Sequence, residues 1–138
     1  MRITDRTLGV LLILAAGVIA FYWWSYFTAG HVRTIDALWY TAFEDSFPVA
    51  DGWMALCCAI AGVGFILKRA WAPLFGLMAA SALVYLACMD ITFDVQNGMY
   101  ALAATNDAMK FEIFINVTTV LLALLALIVS WRRAVTVS

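Results

Sequence analysis

The sequence predicts an all-α integral membrane protein. It is expected to form one four-helix bundle over residues 1–138, with the N- and C-termini cytoplasmic and a short amphipathic helix at the outer interface. Composition is the first reason, because 66% of the residues are apolar and 12% are charged, against roughly 45–50% and about 25% in soluble domains. The second is that four apolar runs can each cross a hydrocarbon core ~30 Å thick. The third is that basic residues gather on one side of these runs.

Each predicted span has a recognisable beginning or end. The first holds twenty uncharged residues and leads into bulky aromatic residues, which favours a retained helix over a cleaved signal peptide. Pro48 and Pro73 fit the first turns of the second and third spans, where a missing N–H costs little. The predicted spans are residues 8–27, 47–67, 71–89 and 111–131.

Flanking basic residues give the orientation. With the N-terminus inside, six of the eight basic residues are cytoplasmic: Arg2, Arg6, Lys68, Arg69, Arg132 and Arg133. The same placement puts eight of the nine acidic residues at or beyond the outer boundary: Asp36, Glu44, Asp45, Asp51, Asp90, Asp94, Asp107 and Glu112. Because acidic residues contribute little to topology, their one-sided distribution is an independent observation.

Two external segments are predicted to be ordered. An amphipathic helix over residues 34–46 is expected to start at Thr34 as N-cap. Its apolar face, expected to rest on the membrane or the bundle, is Ile35, Leu38, Trp39, Ala42 and Phe43, with Asp36, Tyr40 and Glu44 on another face. Residues 96–98 (Gln-Asn-Gly) indicate a turn, and residues 99–104 a short apolar helix.

Small residues predict close packing between the second and third spans. Ala55, Ala59 and Gly62 form a stripe on one, and Gly76 with Ala80 repeats the pattern on the other. The three cysteines are interpreted as small packing residues, since their spacing and expected depths do not suit a disulfide: Cys57, Cys58 and Cys88.

Carboxyl and amide side chains near the outer helix ends form the candidate site. Asp90 and Asp94 are spaced i and i+4, as are Glu112 and Asn116. The candidate ligand- or cation-binding residues are Glu44, Asp51, Asp90, Asp94, Asn97, Glu112 and Asn116. An ionised side chain in lipid costs roughly 2.5–3.5 kcal/mol, although acids at helix ends avoid much of this cost by reaching water. A four-helix bundle could point these residues toward one polar pocket open to the outside. The amide of Asn116, about one turn deep, needs a partner from Glu112 or a neighbouring helix.

Three interpretations of this cluster stay open: solvated helix caps, hydrogen bonds between helices, or a ligand or ion site. Oxygen ligands suit calcium or magnesium, for which Asp51, Asp90, Asp94 and Glu112 are the candidate ligands. The single histidine, His31, and the apolar cysteines argue against a soft-metal site. No other cofactor and no catalytic residue is predicted.

The segments AFEDSFPVADGW, DITFDVQNGMY and EIFINV resemble a group of small four-span bacterial integral membrane proteins of uncharacterised function. The resemblance covers the chain from about Asp36 onward. It implies the four-span fold and implies no activity, cofactor or catalytic residue.

The leading functional hypothesis is a non-enzymatic protein of the bacterial plasma (inner) membrane. Its outward-facing acidic pocket would bind a cation or small polar ligand in transport, sensing or an accessory role. One alternative is a structural or partner-stabilising subunit, either as a homo-oligomer or beside another membrane protein. The other is a membrane-embedded enzyme acting on a lipid or prenyl substrate, for which only Arg33 and Lys110 lie outside to hold a phosphate. Nothing in the sequence indicates nucleic-acid binding.

Overall fold

The computed structural model describes residues 4–28 and 33–136, and every ordered element in these ranges is helical. The elements are α1 (Asp5–Thr28), α2 (Leu38–Glu44), α3 (Pro48–Ile66), α4 (Ala72–Gln96), a 3₁₀ helix (Met99–Ala104) and α5 (Asp107–Thr136). Four of the helical stretches are long and apolar enough to cross a membrane, which confirms the all-α class and the four predicted apolar helices. Arg2 and His31 lie outside the described residues.

The long helices pack in the series α1, α3, α4, α5, whereas α1 and α5 contact each other little. The main apolar core lies along this series and includes Leu8, Leu12, Met54, Phe65 and Leu83. Cys57 and Cys58 are buried in the same core, and Cys88 is exposed; all three are free thiols. Three neighbouring pairs of helices are therefore packed together, and a gap remains between the first helix, α1, and the last, α5.

Glycines set the closest approach between helices. A Cβ on Gly62 would lie 2.7 Å from the Gly9 carbonyl oxygen, and a Cβ on Gly9 equally close to the Gly62 carbonyl oxygen. Gly62, one of the stripe residues, therefore packs backbone to backbone against α1. Gly76, on the other stripe, faces the buried Ser130 side chain of α5.

The basic end of the bundle is closed by the loop between α3 and α4 and by an ion pair. Arg133 of α5 makes two contacts with the Asp5 carboxylate, from Nη2 at 2.7 Å and from Nε at 2.9 Å. This pair ties the first turn of α1 to the last turn of α5. Both helices are longer than the residues 8–27 and 111–131 predicted from hydropathy.

Helix α2 differs from its prediction in length and in the face it buries. It spans Leu38–Glu44 rather than residues 34–46, and Ala37 occupies the N-cap position. Thr34 is not the cap because its hydroxyl donates to Glu112. Tyr40 and Glu44 face inward, whereas Leu38 on the predicted apolar face is 91% exposed. The prediction is therefore met only in part, because Phe43 on the predicted apolar face packs on Phe93, whereas Tyr40 and Glu44 on the other face are buried as well.

Helix α4 continues past residue 89, the end predicted for the third span, to Gln96. Its last turns stay helical because Phe93 stacks on Phe43 of α2, with ring centroids 3.7 Å apart, and Asp94 is fully buried against α5. Gly98 then adopts a left-handed conformation (φ 64°) that ends the helix and begins the 3₁₀ helix.

Candidate functional site

A cavity of about 620 Å³ opens between α1 and α5 at the acidic end of the bundle. Its polar lining comes from four helices: Glu44, Asp51, Asp90, Glu112 and Asn116. The aromatic side chains of Tyr22 and Trp23 lie beside these groups, and the remaining lining is largely apolar. The structure therefore brings five of the seven predicted site residues to one cavity.

Two carboxyl groups are held by aromatic donors from α1. The Tyr22 hydroxyl donates to Glu44 Oε2 at 3.0 Å, and Trp23 Nε1 donates to Asp51 Oδ2 at 2.9 Å. Both carboxylates belong to residues only 8% exposed. Adjacent residues of α1 thereby fix the start of α3 and the end of α2 relative to each other.

Glu112 is held by the segment that precedes α2. Its carboxyl accepts a hydrogen bond from the hydroxyl of Thr34, which is buried. The Thr34 carbonyl accepts from Asn106 Nδ2 at 2.7 Å, and Asn106 Oδ1 caps α5 by accepting from the Ala108 N–H at 2.9 Å. The first turn of α5 is thus connected to the loop before α2.

Asp94 is buried behind the cavity rather than lining it. Asn116 Nδ2 donates to Asp94 Oδ2 at 3.1 Å, so the amide has the inter-helix partner that its depth requires. The other oxygen, Oδ1, is buried and has no hydrogen-bond partner among the described residues, and the Glu112 carboxyl lies next to it. Two carboxyl groups in contact repel unless they share a proton or a cation.

Tyr100 on the 3₁₀ helix closes this inner group. Its hydroxyl lies 3.5 Å from Asn116 Nδ2. Burial, with the neighbouring Asp94 carboxyl, raises the pKa of the Tyr100 phenol, which keeps it as a neutral hydrogen-bonding group.

Asp90 differs from the other cavity-lining carboxyls, each of which accepts a side-chain hydrogen bond. Within the part of the chain that the structure describes, no side chain donates a hydrogen bond to it, although Glu44, Glu112 and Asp51 place like charges around it. The hydroxyl of the buried Tyr40, near Glu44 and Glu112, also lacks a hydrogen-bond partner among these residues. The Asp90 carboxyl and the Tyr40 hydroxyl can therefore still form hydrogen bonds, and both lie among the acidic side chains of the cluster.

No positive charge from the described chain compensates this cluster. The cavity lining contains no Lys, Arg or described His side chain. Arg33 lies over the Tyr26 ring, 4.5 Å from its centroid, and Lys110 pairs with the exposed Asp107 at 2.7 Å. The negative charges are left to be neutralised by protons or by a ligand.

The predicted calcium or magnesium site lacks a geometric basis. Across residues 4–28 and 33–136, no three Asp, Glu, His or Cys side chains are grouped so that they could hold one metal ion. Asn97 also stands apart from the cluster: it is exposed and donates to the Phe93 carbonyl oxygen at 2.8 Å at the end of α4.

The partners of the carboxyl groups were not identified from the sequence. From the sequence, Tyr22 and Trp23 are bulky aromatic residues at the end of the first span, and Thr34 is the expected helix cap. For Tyr22 and Trp23, the signal that could have predicted these bonds is a hydroxyl or indole N–H at the depth of an acidic residue in a neighbouring helix. Tyr22, Trp23 and Thr34 are now seen to be the donors that hold Glu44, Asp51 and Glu112.

Comparison with protein-family models, curated protein sequences and solved structures gives no match to this chain. The fold and site define the class at a coarse level, a helical protein with four helices long and apolar enough to cross a membrane. Function is therefore inferred from the geometry and chemistry of the cavity.

Proposed function

We propose that this chain is a multi-pass protein of a bacterial inner membrane whose outer acidic cavity binds an organic cation. A single observation carries the proposal: four carboxyl groups line one cavity, and none of the described residues that line it is basic. Such a site attracts positive charge, because a cation relieves both the mutual repulsion and the cost of keeping ionised groups away from water.

The lining favours an organic ammonium group over a metal ion. Tyr22 and Trp23 present aromatic surface beside the carboxyl groups, which suits cation–π contact with an alkylammonium head. The volume of about 620 Å³ also lies within the ~300–1,000 Å³ typical of small-molecule sites. A metal ion would require ligands converging on one point, which the described residues do not offer.

The topology belongs to the same proposal. From the flanking basic residues we place both termini in the cytoplasm. The basic end around Lys68 and Arg133 is then inside, and the cavity opens outward. A C-terminal fusion to green fluorescent protein is then expected to fluoresce, and the same fusion to alkaline phosphatase to be inactive. The reverse pair of results would invert the proposed orientation.

Thermal melting in uncharged detergent tests the binding. Tetramethylammonium should raise the melting temperature above a sodium control of equal ionic strength. Calcium, magnesium and EDTA should produce no shift beyond that control.

Asp90→Asn should weaken tetramethylammonium binding about tenfold, equivalent to ~1.4 kcal/mol. The matched control is Asp36→Asn, an exposed acid away from the cavity, which should behave as wild type. Identical shifts for sodium and tetramethylammonium would refute an organic-cation site.

A further inference from the structure

We infer that the ligand is a single-chain cationic amphiphile that enters from the lipid phase between α1 and α5. The inference rests on the proposed function and specifies its ligand class: the ammonium head meets the carboxyl groups, and the hydrocarbon chain occupies the apolar part of the same cavity.

The entrance is the gap in the helix series. Helix α1 packs on α3, and α5 packs on α4, with little contact between α1 and α5. In the described chain, side-chain bonds join the two sides of this gap near its ends. Arg133 pairs with Asp5 at the basic end, and Thr34, just beyond α1, binds Glu112 at the acidic end. The middle of the gap has largely apolar walls, with Thr118 and Thr119 among them, and no such bond among the described residues.

The apolar part of the cavity is long and faces outward from the bundle. Its walls are contributed by both helices: Leu11, Leu14, Ala15 and Val18 from α1, and Leu121, Leu122 and Leu125 from α5. From Asn116 to Leu125 the helix rises about 14 Å at ~1.5 Å per residue. Leu14 and Leu121 are 60% and 62% exposed, so the opening faces the surroundings of the helices.

Head and chain are both specified by this arrangement. A small hydrophilic cation would fill the acidic part of the cavity and make no contact with the leucine-lined part. That part excludes water and therefore suits an apolar group. A neutral lipid would fill the apolar part and leave the carboxyl groups to be neutralised by protons alone. An ammonium group on one alkyl chain matches both regions.

Equilibrium dialysis of protein in uncharged lipid nanodiscs tests the inference. The probes are radiolabelled tetramethylammonium, as the head alone, and radiolabelled dodecyltrimethylammonium, with binding to empty discs subtracted. Ala15→Phe fills the apolar part of the cavity. Ala20→Phe, the same change at an exposed α1 residue outside the lining, is the control. Should Ala15→Phe fail to fold, Leu125→Phe fills the same space from α5, with exposed Leu124→Phe as its control.

Wild type and Ala20→Phe should bind both probes, and they should bind the dodecyl compound more tightly. Ala15→Phe should weaken dodecyltrimethylammonium binding about tenfold and retain tetramethylammonium binding, because only the volume for the chain is removed. Unchanged dodecyl binding, or equal loss of both probes, would overturn the inference while the proposed function stood. Absence of tetramethylammonium binding to wild type would instead overturn the proposed function.

Discussion

Asn116 of α5 donates a hydrogen bond to Asp94 of α4 at 3.1 Å, and both side chains are almost completely withdrawn from the surface. Replacing the amide by alanine leaves the Asp94 carboxyl without its donor. Asn116→Ala should therefore lower the free energy of unfolding by about 2 kcal/mol. Reversible SDS titration in mixed micelles measures this.

Asn97→Ala is the matched control for that substitution. Asn97 is exposed and bonds only a backbone carbonyl of its own helix, so its loss should change the unfolding free energy by less than about 0.5 kcal/mol. Equal effects of the two alanine substitutions would mean that the buried amide does not support Asp94.

Gly62→Ala should destabilise the packing of α1 on α3 by about 2 kcal/mol. The added methyl group would lie 2.7 Å from both the Gly9 carbonyl oxygen and Ile13 Cγ1, and the backbone atom cannot turn away. The same SDS titration measures the change. At Gly17 and Gly52 a Cβ meets nothing within 4 Å, so Gly17→Ala and Gly52→Ala should be neutral or slightly stabilising. A neutral Gly62→Ala would contradict the backbone contact.

Asp90→Asn should stabilise the ligand-free protein by about 1 kcal/mol, even though it weakens cation binding. The substitution removes one carboxyl from a group of neighbouring carboxyls without disrupting a side-chain hydrogen bond. Melting in sodium-containing buffer measures this, with Asp36→Asn as control. A less stable Asp90→Asn protein would show that the carboxylate makes a favourable contact within the chain.

Tyr22→Phe and Tyr40→Phe should differ, although both hydroxyls lie near Glu44. The Tyr22 hydroxyl donates to Glu44 at 3.0 Å, so its removal should cost about 1–2 kcal/mol. The Tyr40 hydroxyl lies near Glu44 and Thr34 but makes no well-formed hydrogen bond among the described residues, so its removal should cost clearly less than that of the Tyr22 hydroxyl. Comparable losses of unfolding free energy would indicate that Tyr40 also supports Glu44.

Hydropathy predicted the four long helices because length and lack of charge decide whether a segment can cross lipid. It did not predict the last turns of α4. Asp90 and Asp94 read as residues beyond the membrane, whereas Asn116 and the rest of the cluster give them a polar interior. The sequence placed Asp51, Asp90 and Glu112 at a common depth but left open whether they converge, and in the structure all three line one cavity.

The orientation of α2 could not be predicted from periodicity. Amphipathic analysis assumes that the buried face is the apolar one. Here Tyr40 and Glu44 on the other face are buried too, Tyr40 in a cluster with Met99, whereas Leu38 on the apolar face is exposed. Hydrogen bonds between distant segments, such as Thr34 to Glu112, also leave no local signal, because nothing near either residue specifies the other.

Calorimetric titration of the purified protein with tetramethylammonium, at constant ionic strength, tests the central claim most directly. That claim is that the carboxyl groups around Asp90 form one site for an organic cation. The predicted result is saturable binding of one cation per chain that weakens about tenfold in Asp90→Asn. Heat that never saturates, or a wild-type isotherm matching that of Asp90→Asn, would contradict it.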